Sequence, residues 1–220
     1  MKDEFNTIEA PAEGYYMDHA SKFIAYAYPV ESEAGAMIVL QKLRKDHPKA
    51  RHFCTALRLY PDASLVRSSD DGEPSGSAGK PILGQLIKND LTNVYVVVVR
   101  YFGGTKLGIP GLIEAYKTST ANALLESRIV KKKVLGIIRI TAPHESMPPI
   151  INQLRKRGIP ILREDYQDKS IVEAGFPKST LHHDLLAFFR EITHMDFESI
   201  DDHAAHLHIH IEITPDSLIR

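Results

Sequence analysis

The stretch Asn93–Phe102, NVYVVVVRYF, is apolar on both of its alternating faces and predicts a buried strand at the centre of a sheet. Ser21–Val30 alternates and predicts a second strand, and Arg51–Tyr60 a third. Between them, Ala36, Val39, Leu40 and Leu43 recur at helical spacing, with acids first, bases last and Pro48 as the stop. Pro61–Lys80 is polar and glycine-rich and predicts a long loop. A short helix follows in GKPILGQLIKND, with Pro81 in its first turn. GGTKLGIPG reads as a loop, and Leu112–Ser127 as a helix with Leu112, Ala115, Tyr116 and Ala123 on its apolar side. Met1–Tyr16 shows no periodicity.

The pattern restarts after the lysine run Lys131–Lys133, which marks the expected boundary between domains 1–132 and 133–220. Beyond it come a strand (VLGIIRITAP), a helix (HESMPPIINQLRKRG), a hairpin around Asp168, an amphipathic helix (KSTLHHDLLAFFREITH) and a final strand (HLHIHIEIT). That order, βαββαβ, predicts a ferredoxin-like split-βαβ sandwich. The fold class expected for the whole chain is α+β in two domains.

The 220 residues carry 27 Lys+Arg against 28 Asp+Glu, so any nucleic-acid binding requires a local basic patch rather than bulk charge. One cysteine, Cys54, excludes an internal disulfide and suits a reducing cytoplasm. The acidic first residues have no apolar core, so no signal peptide is expected, and no apolar run approaches bilayer length. No membrane partner is expected.

Four stretches carry candidate chemistry. DDGEPSGSAGKP (Asp70–Pro81) has glycines, a lysine and a following helix, the ingredients of an anion-holding turn or of a plain turn with a helix cap. It is not a P-loop: the first required glycine falls on Pro74 and the magnesium hydroxyl on Pro81. Asp70, Asp71 and Glu73 are hard-cation ligands by type, but their spacing matches no calcium loop, and no metal or cofactor is expected. RYFGGTKLGIPGL (Arg100–Leu112) follows the buried strand and opens a helix. Arg100 and Lys106 flank the glycines Gly103 and Gly104, with Tyr101 and Phe102 as aromatic faces, a combination that suits an RNA or phosphate surface. HPKARHFC places His52 and Cys54 on one strand face, where a structural cysteine is a simpler reading than a nucleophile. His206, His208 and His210 are expected on one face of the last strand, a solvated face or a zinc pair.

Together, HPKARHFCTA, SSDDGEPSGSAGKPIL and VVVVRYFGGTKLGIPGLIEAY resemble the IMPACT/YigZ family, in order and over most of Ser21–Ser127. One position departs from the family pattern: Pro110 stands in LGIPGL where a glycine is usual, which removes an N–H. The resemblance implies an N-terminal, βαβ-containing domain similar to one in a small-subunit ribosomal protein, and a C-terminal domain similar to one in translocating elongation factors. It also implies a translation-associated role, since eukaryotic relatives act in translational control. The expected partner is RNA or the ribosome, or a translation-control protein. Arg51, His52, Asp70, Asp71, Glu73, Ser75, Gly79, Lys80, Arg100, Tyr101, Gly103, Gly104 and Lys106 are the candidate binding residues. The alternative is an enzyme on a small phosphorylated or acyl substrate, with Asp71 or Glu73 as base and Lys80 as clamp. No nucleophile–base–orienter set is readable for it.

Overall fold

The computed structural model describes residues Asp3–Ile219, with side chains to Thr214. The chain divides into two compact units, Glu4–Lys132 and Lys133 onward, with Asp3 grouped with the second.

The first unit contains β1 (Glu4–Ile8), β2 (Ala12–Asp18), β3 (Ser21–Pro29), α1 (Glu33–Asp46), β4 (His52–Leu59), β5 (Leu65–Ser69), α2 (Gly79–Lys88), β6 (Val94–Tyr101) and α3 (Gly108–Leu125). An antiparallel sheet runs in the order β2-β3-β6-β4-β5. β6 is its middle strand, as its two-faced apolar pattern requires. Val94, Val96 and Val98 face α2 and α3, together with Phe23, Ala25, Cys54 and Ala56. Tyr95, Val97 and Val99 face α1, together with Phe53, Leu57 and Leu59. Gly14 lets β2 touch α3, because a Cβ there would stand 2.1 Å from the Ala123 amide nitrogen.

Several expectations need correction. Glu4–Ile8 and Ala12–Asp18, in and just past the stretch without periodicity, form β1 and β2, and the exposed Tyr15 and Met17 hide the alternation of β2. β5 lies inside the stretch expected as a loop. It is an edge strand, mostly exposed, and its polar residues carry no apolar face to read. α3 starts at Gly108, four residues earlier than its apolar stripe indicates, because its first turn is exposed.

The second unit takes most of β7 (Ile129–Ala142), then α4 (Met147–Lys156), β8 (Ile161–Tyr166), β9 (Ser170–Pro177), α5 (Leu181–Thr193), α6 (Ile200–His206) and β10 (His210–Ile219). Antiparallel pairing gives the order β10-β7-β9-β8, the split-βαβ arrangement. Ile138, Ile140, Val172, Ala174 and Phe176 pack beneath Ile150, Leu154, Leu185, Phe188 and Phe189. The lysine run lies within β7.

The three histidines near the end do not share a strand face. His206 ends α6, His208 takes a left-handed φ of 54° and only His210 enters β10. Ser199 caps α6 by accepting the Asp202 N–H, and Asp201 and Asp202 occupy its first turn. Those helix-start signals outweigh the alternation of His and apolar residues.

His203 on α6 is fully buried. Thr193 Oγ1 donates to the Phe189 carbonyl, so it accepts from His203 Nδ1 at 2.9 Å. His203 Nε2 then has no hydrogen-bond partner among the described residues. Burial pulls the imidazole below its ordinary pKa. Below about pH 6.5 the unfolded chain binds a proton that the folded chain resists, so stability falls as pH drops from there. Urea midpoints at pH 7.5 and pH 5 are expected to differ less in His203→Leu than in the parent protein.

Candidate functional site

Strand register brings the basic residues together. His52 on β4 lies opposite Arg100 on β6, and Phe23 on β3 lies opposite Arg100 on its other side. Arg51 and Tyr101 are next to those positions, and α3 begins a few residues beyond. At this end of the first unit lies a cavity of about 710 Å³. Its lining includes Lys49, Arg51, His52, Glu73, Arg100 and Lys106, with Tyr101, Phe102 and the first turn of α3.

The two glycine-bearing loops therefore border one cavity, but through few of their residues. Glu73 and Pro74 represent the first loop, and Lys106, Leu107 and Gly108 the second. Asp70, Asp71, Ser75, Gly79 and Lys80 are not among the lining residues. Lys80 and Ser75 are exposed, and the Lys80 side chain runs beside Gly76.

Asp70 explains the first loop. Its carboxylate accepts the amides of Gly76 (2.8 Å), Ala78 (3.0 Å) and Gly79 (2.8 Å), so the α2 N-terminus already holds an anion, one of the chain's own. Burial works against the Asp70 charge, yet those amides, with Lys80 nearby, hold its pKa below the ordinary value. Gly79 is a packing glycine, since a Cβ would stand 2.8 Å from the Ser69 amide nitrogen. Asp71 accepts the Phe53 N–H at 2.7 Å and Arg44 Nη2 at 3.1 Å. Its carbonyl oxygen lies 2.9 Å from His52 Nδ1. A carbonyl only accepts, so Nδ1 carries a proton.

Glu73 turns inward. Its Oε1 accepts from Arg100 Nη1 at 2.5 Å and from the Tyr116 hydroxyl at 2.8 Å. The Arg100 and Glu73 side chains are 7% and 4% exposed, so this is a buried ion pair. The Arg100 guanidinium lies 5.5 Å from both the Phe23 and the Phe102 ring centres. Cys54 Sγ is 3.2 Å from the Tyr116 hydroxyl and 3.0 Å from the Asp70 carbonyl, and its one proton serves either acceptor. Burial pushes the Cys54 thiol up to about 12 and raises the Tyr116 phenol as well. Cys54 is thus a neutral thiol at physiological pH, without the character of a nucleophile.

In the second loop, Gly103 abuts β3: a Cβ would stand 2.1 Å from the Ala20 carbonyl carbon, and its N–H donates to Ser21 Oγ. Gly104 has φ +92° in open space, so its role is conformational. Lys49, Arg51 and Lys106 have no ion-pair partner among the described residues, and Phe102 is 56% exposed. Sequence reasoning missed Lys49, although it stands in the HPKARHFC stretch. It also missed the partnership of Glu73 with Tyr116 and Arg100, which spans 43 and 27 positions and leaves no local signal. Among the described residues no group of His, Cys, Asp and Glu is arranged to hold a metal.

Glu73→Gln would leave the Arg100 charge buried and uncompensated, at an expected cost of about 3–5 kcal/mol in urea unfolding. Tyr116→Phe, which removes one hydrogen bond to a charged group, is expected to cost about 1.5–3 kcal/mol. Equal losses in the two variants would contradict this ordering.

The model of the Impact N-terminal domain matches residues 19–124. The IMPACT family member YvyE of Bacillus subtilis is 34% identical over 171 residues, covering 78% of each chain. The IMPACT family member YigZ of Escherichia coli is 32% identical over 159 residues, covering 71% of this chain and 78% of that one. A crystal structure described only as a hypothetical protein aligns with 98% of this chain and 100% of its own, at 26% identity and a TM-score of 0.65. The matched stretch lies within the first unit and includes every residue that lines the cavity, and the chain belongs to the IMPACT family.

Proposed function

We propose that this protein is a translation-associated binding protein that holds RNA by its phosphates in the cavity of the first unit. One observation carries the reading: Lys49, Arg51 and Lys106 border a cavity whose carboxylate, Glu73, is already neutralised by Arg100. A chain of net charge −1 thereby presents a local positive patch, which is what phosphate binding requires. The exposed ring of Phe102, with Tyr101 beside it, offers a face on which a base stacks. Family membership supports the link to translation, in which the partner is ribosomal RNA or a translation-control protein. The reading implies a cytoplasmic protein, and a single buried thiol suits that compartment.

The binding residues are Arg51, Lys106, Lys49 and Tyr101, with His52 at the edge. Asp70, Asp71, Glu73, Gly79, Gly103 and Arg100 build and hold the walls. Ser75 and Lys80, exposed and outside the cavity lining, take no part. The enzyme alternative gains nothing, because the carboxylates of Asp71 and Glu73 are tied to internal donors and Lys80 lies outside the cavity.

Fluorescence anisotropy with a single-stranded RNA, titrated over salt, tests this. Arg51→Ala and Lys106→Ala are each expected to weaken binding several-fold and to reduce the salt slope by about 1, with Lys88→Ala unchanged. Affinity that is independent of salt, or equal in all three variants, would overturn it.

A further inference from the structure

α3 is an 18-residue helix whose start opens on the cavity, lined there by Leu107, Gly108, Ile109 and Leu112. No side chain caps this end, and its first turn holds no acid. Helical geometry leaves the amides of Gly108 and Ile109 without intrahelical acceptors. Pro110 has no N–H, and that of Gly111 reaches back to Leu107 in the ladder. Gly108 has φ +70°, a conformation that glycine adopts at little cost. A second, independent feature lies in the same cavity. Arg100 is more than nine-tenths buried, and its Nε has no hydrogen-bond partner although Nη1 is held by Glu73. A buried guanidinium N–H without an acceptor is costly to the free protein, and the Arg100 guanidinium belongs to the lining of the cavity that an oxyanion would enter.

We propose that the α3 N-terminus, with Arg51, Lys106 and Arg100, is a site for one phosphomonoester dianion. This rests on the reading above in taking the phosphate from RNA, where the group is a phosphorylated 5′ end, although a free nucleotide presents the same group. Charge decides between the end of a strand and its interior. Lys49, Arg51 and Lys106 are without counter-ions among the described residues, and the helix start adds about half a charge. An internal phosphodiester brings a single negative charge, whereas a terminal monoester brings about −1.5 to −2. Size agrees. A volume of about 710 Å³ falls in the range of clefts that enclose one small molecule, about 300–1,000 Å³, rather than a track for a long strand. The Phe102 ring lies at hand for the terminal base.

The test uses the full chain and two 3′-labelled RNAs of one sequence, one with a 5′-phosphate and one with a 5′-hydroxyl, plus unlabelled adenosine monophosphate as competitor. The phosphorylated RNA is expected to bind at least about tenfold more tightly. That preference should vanish in Lys106→Glu and Arg51→Ala, both exposed positions, and persist in Lys88→Ala. Competition by the mononucleotide without binding of either RNA would support the dianion site with a free nucleotide as its source, and would end the RNA reading instead. Equal affinity for the two RNAs would overturn the dianion site while leaving the RNA reading standing. No binding by any of the three probes would overturn both.

Discussion

The buried pairing of Arg100 with Glu73 is the constraint on which the first unit's functional end depends. A guanidinium on the middle strand of the sheet lies under the Phe102 ring and needs a counter-charge within reach. Glu73 supplies it from a loop that Asp71 also ties to β4 through the Phe53 N–H. The same carboxylate takes the Tyr116 hydroxyl, which ties the loop to α3, and Tyr116 in turn meets Cys54 on β4. Strand β6, strand β4, helix α3 and the Asp70–Pro81 loop are thus joined through one set of polar atoms inside an apolar layer. Breaking such a set from one side is costly, because the partner left behind cannot be hydrated. Its value here is positional: it fixes the wall from which the cavity is made and cancels the cavity's own carboxylate.

Asp70 divides the labour between two helix starts. Both α2 and α3 begin at glycine-bearing turns, and both look like phosphate cradles in one dimension. In α2 the Asp70 carboxylate occupies the amides, so that turn is complete in the free protein. In α3 no side chain fills the corresponding place, and the surrounding charges are lysines and arginine. The difference between a filled helix start and an uncapped one is thus one acidic side chain, not the glycines.

The second unit shows the opposite balance. Its ferredoxin-like sheet and helices are held by an apolar layer of Ile, Leu and Phe, with Ser170 and His203 as buried polar residues. No helix among the described residues is long and apolar enough to cross a membrane.

The sequence by itself determined the α+β class, the buried central strand and the βαββαβ order of the second half, because periodicity reports burial and burial follows from sheet and helix geometry. It also singled out the stretches that border the cavity, since glycines, bases and aromatics cluster locally there. Edge strands β2 and β5 escaped it, because exposed strands carry no apolar alternation to read. The α6 helix was obscured by histidines at alternate positions, until capping by Ser199 and the left-handed turn at His208 decided the matter. Tertiary structure alone decided which charges are free. Asp70, Asp71 and Glu73 are equivalent acids in one dimension, yet each meets its partners through contacts that depend on how the loop closes. Lys80 and Lys106 are equivalent bases, and only Lys106 borders the cavity. Charge pairing acts over a few ångströms of space, and distance along a chain carries no record of it.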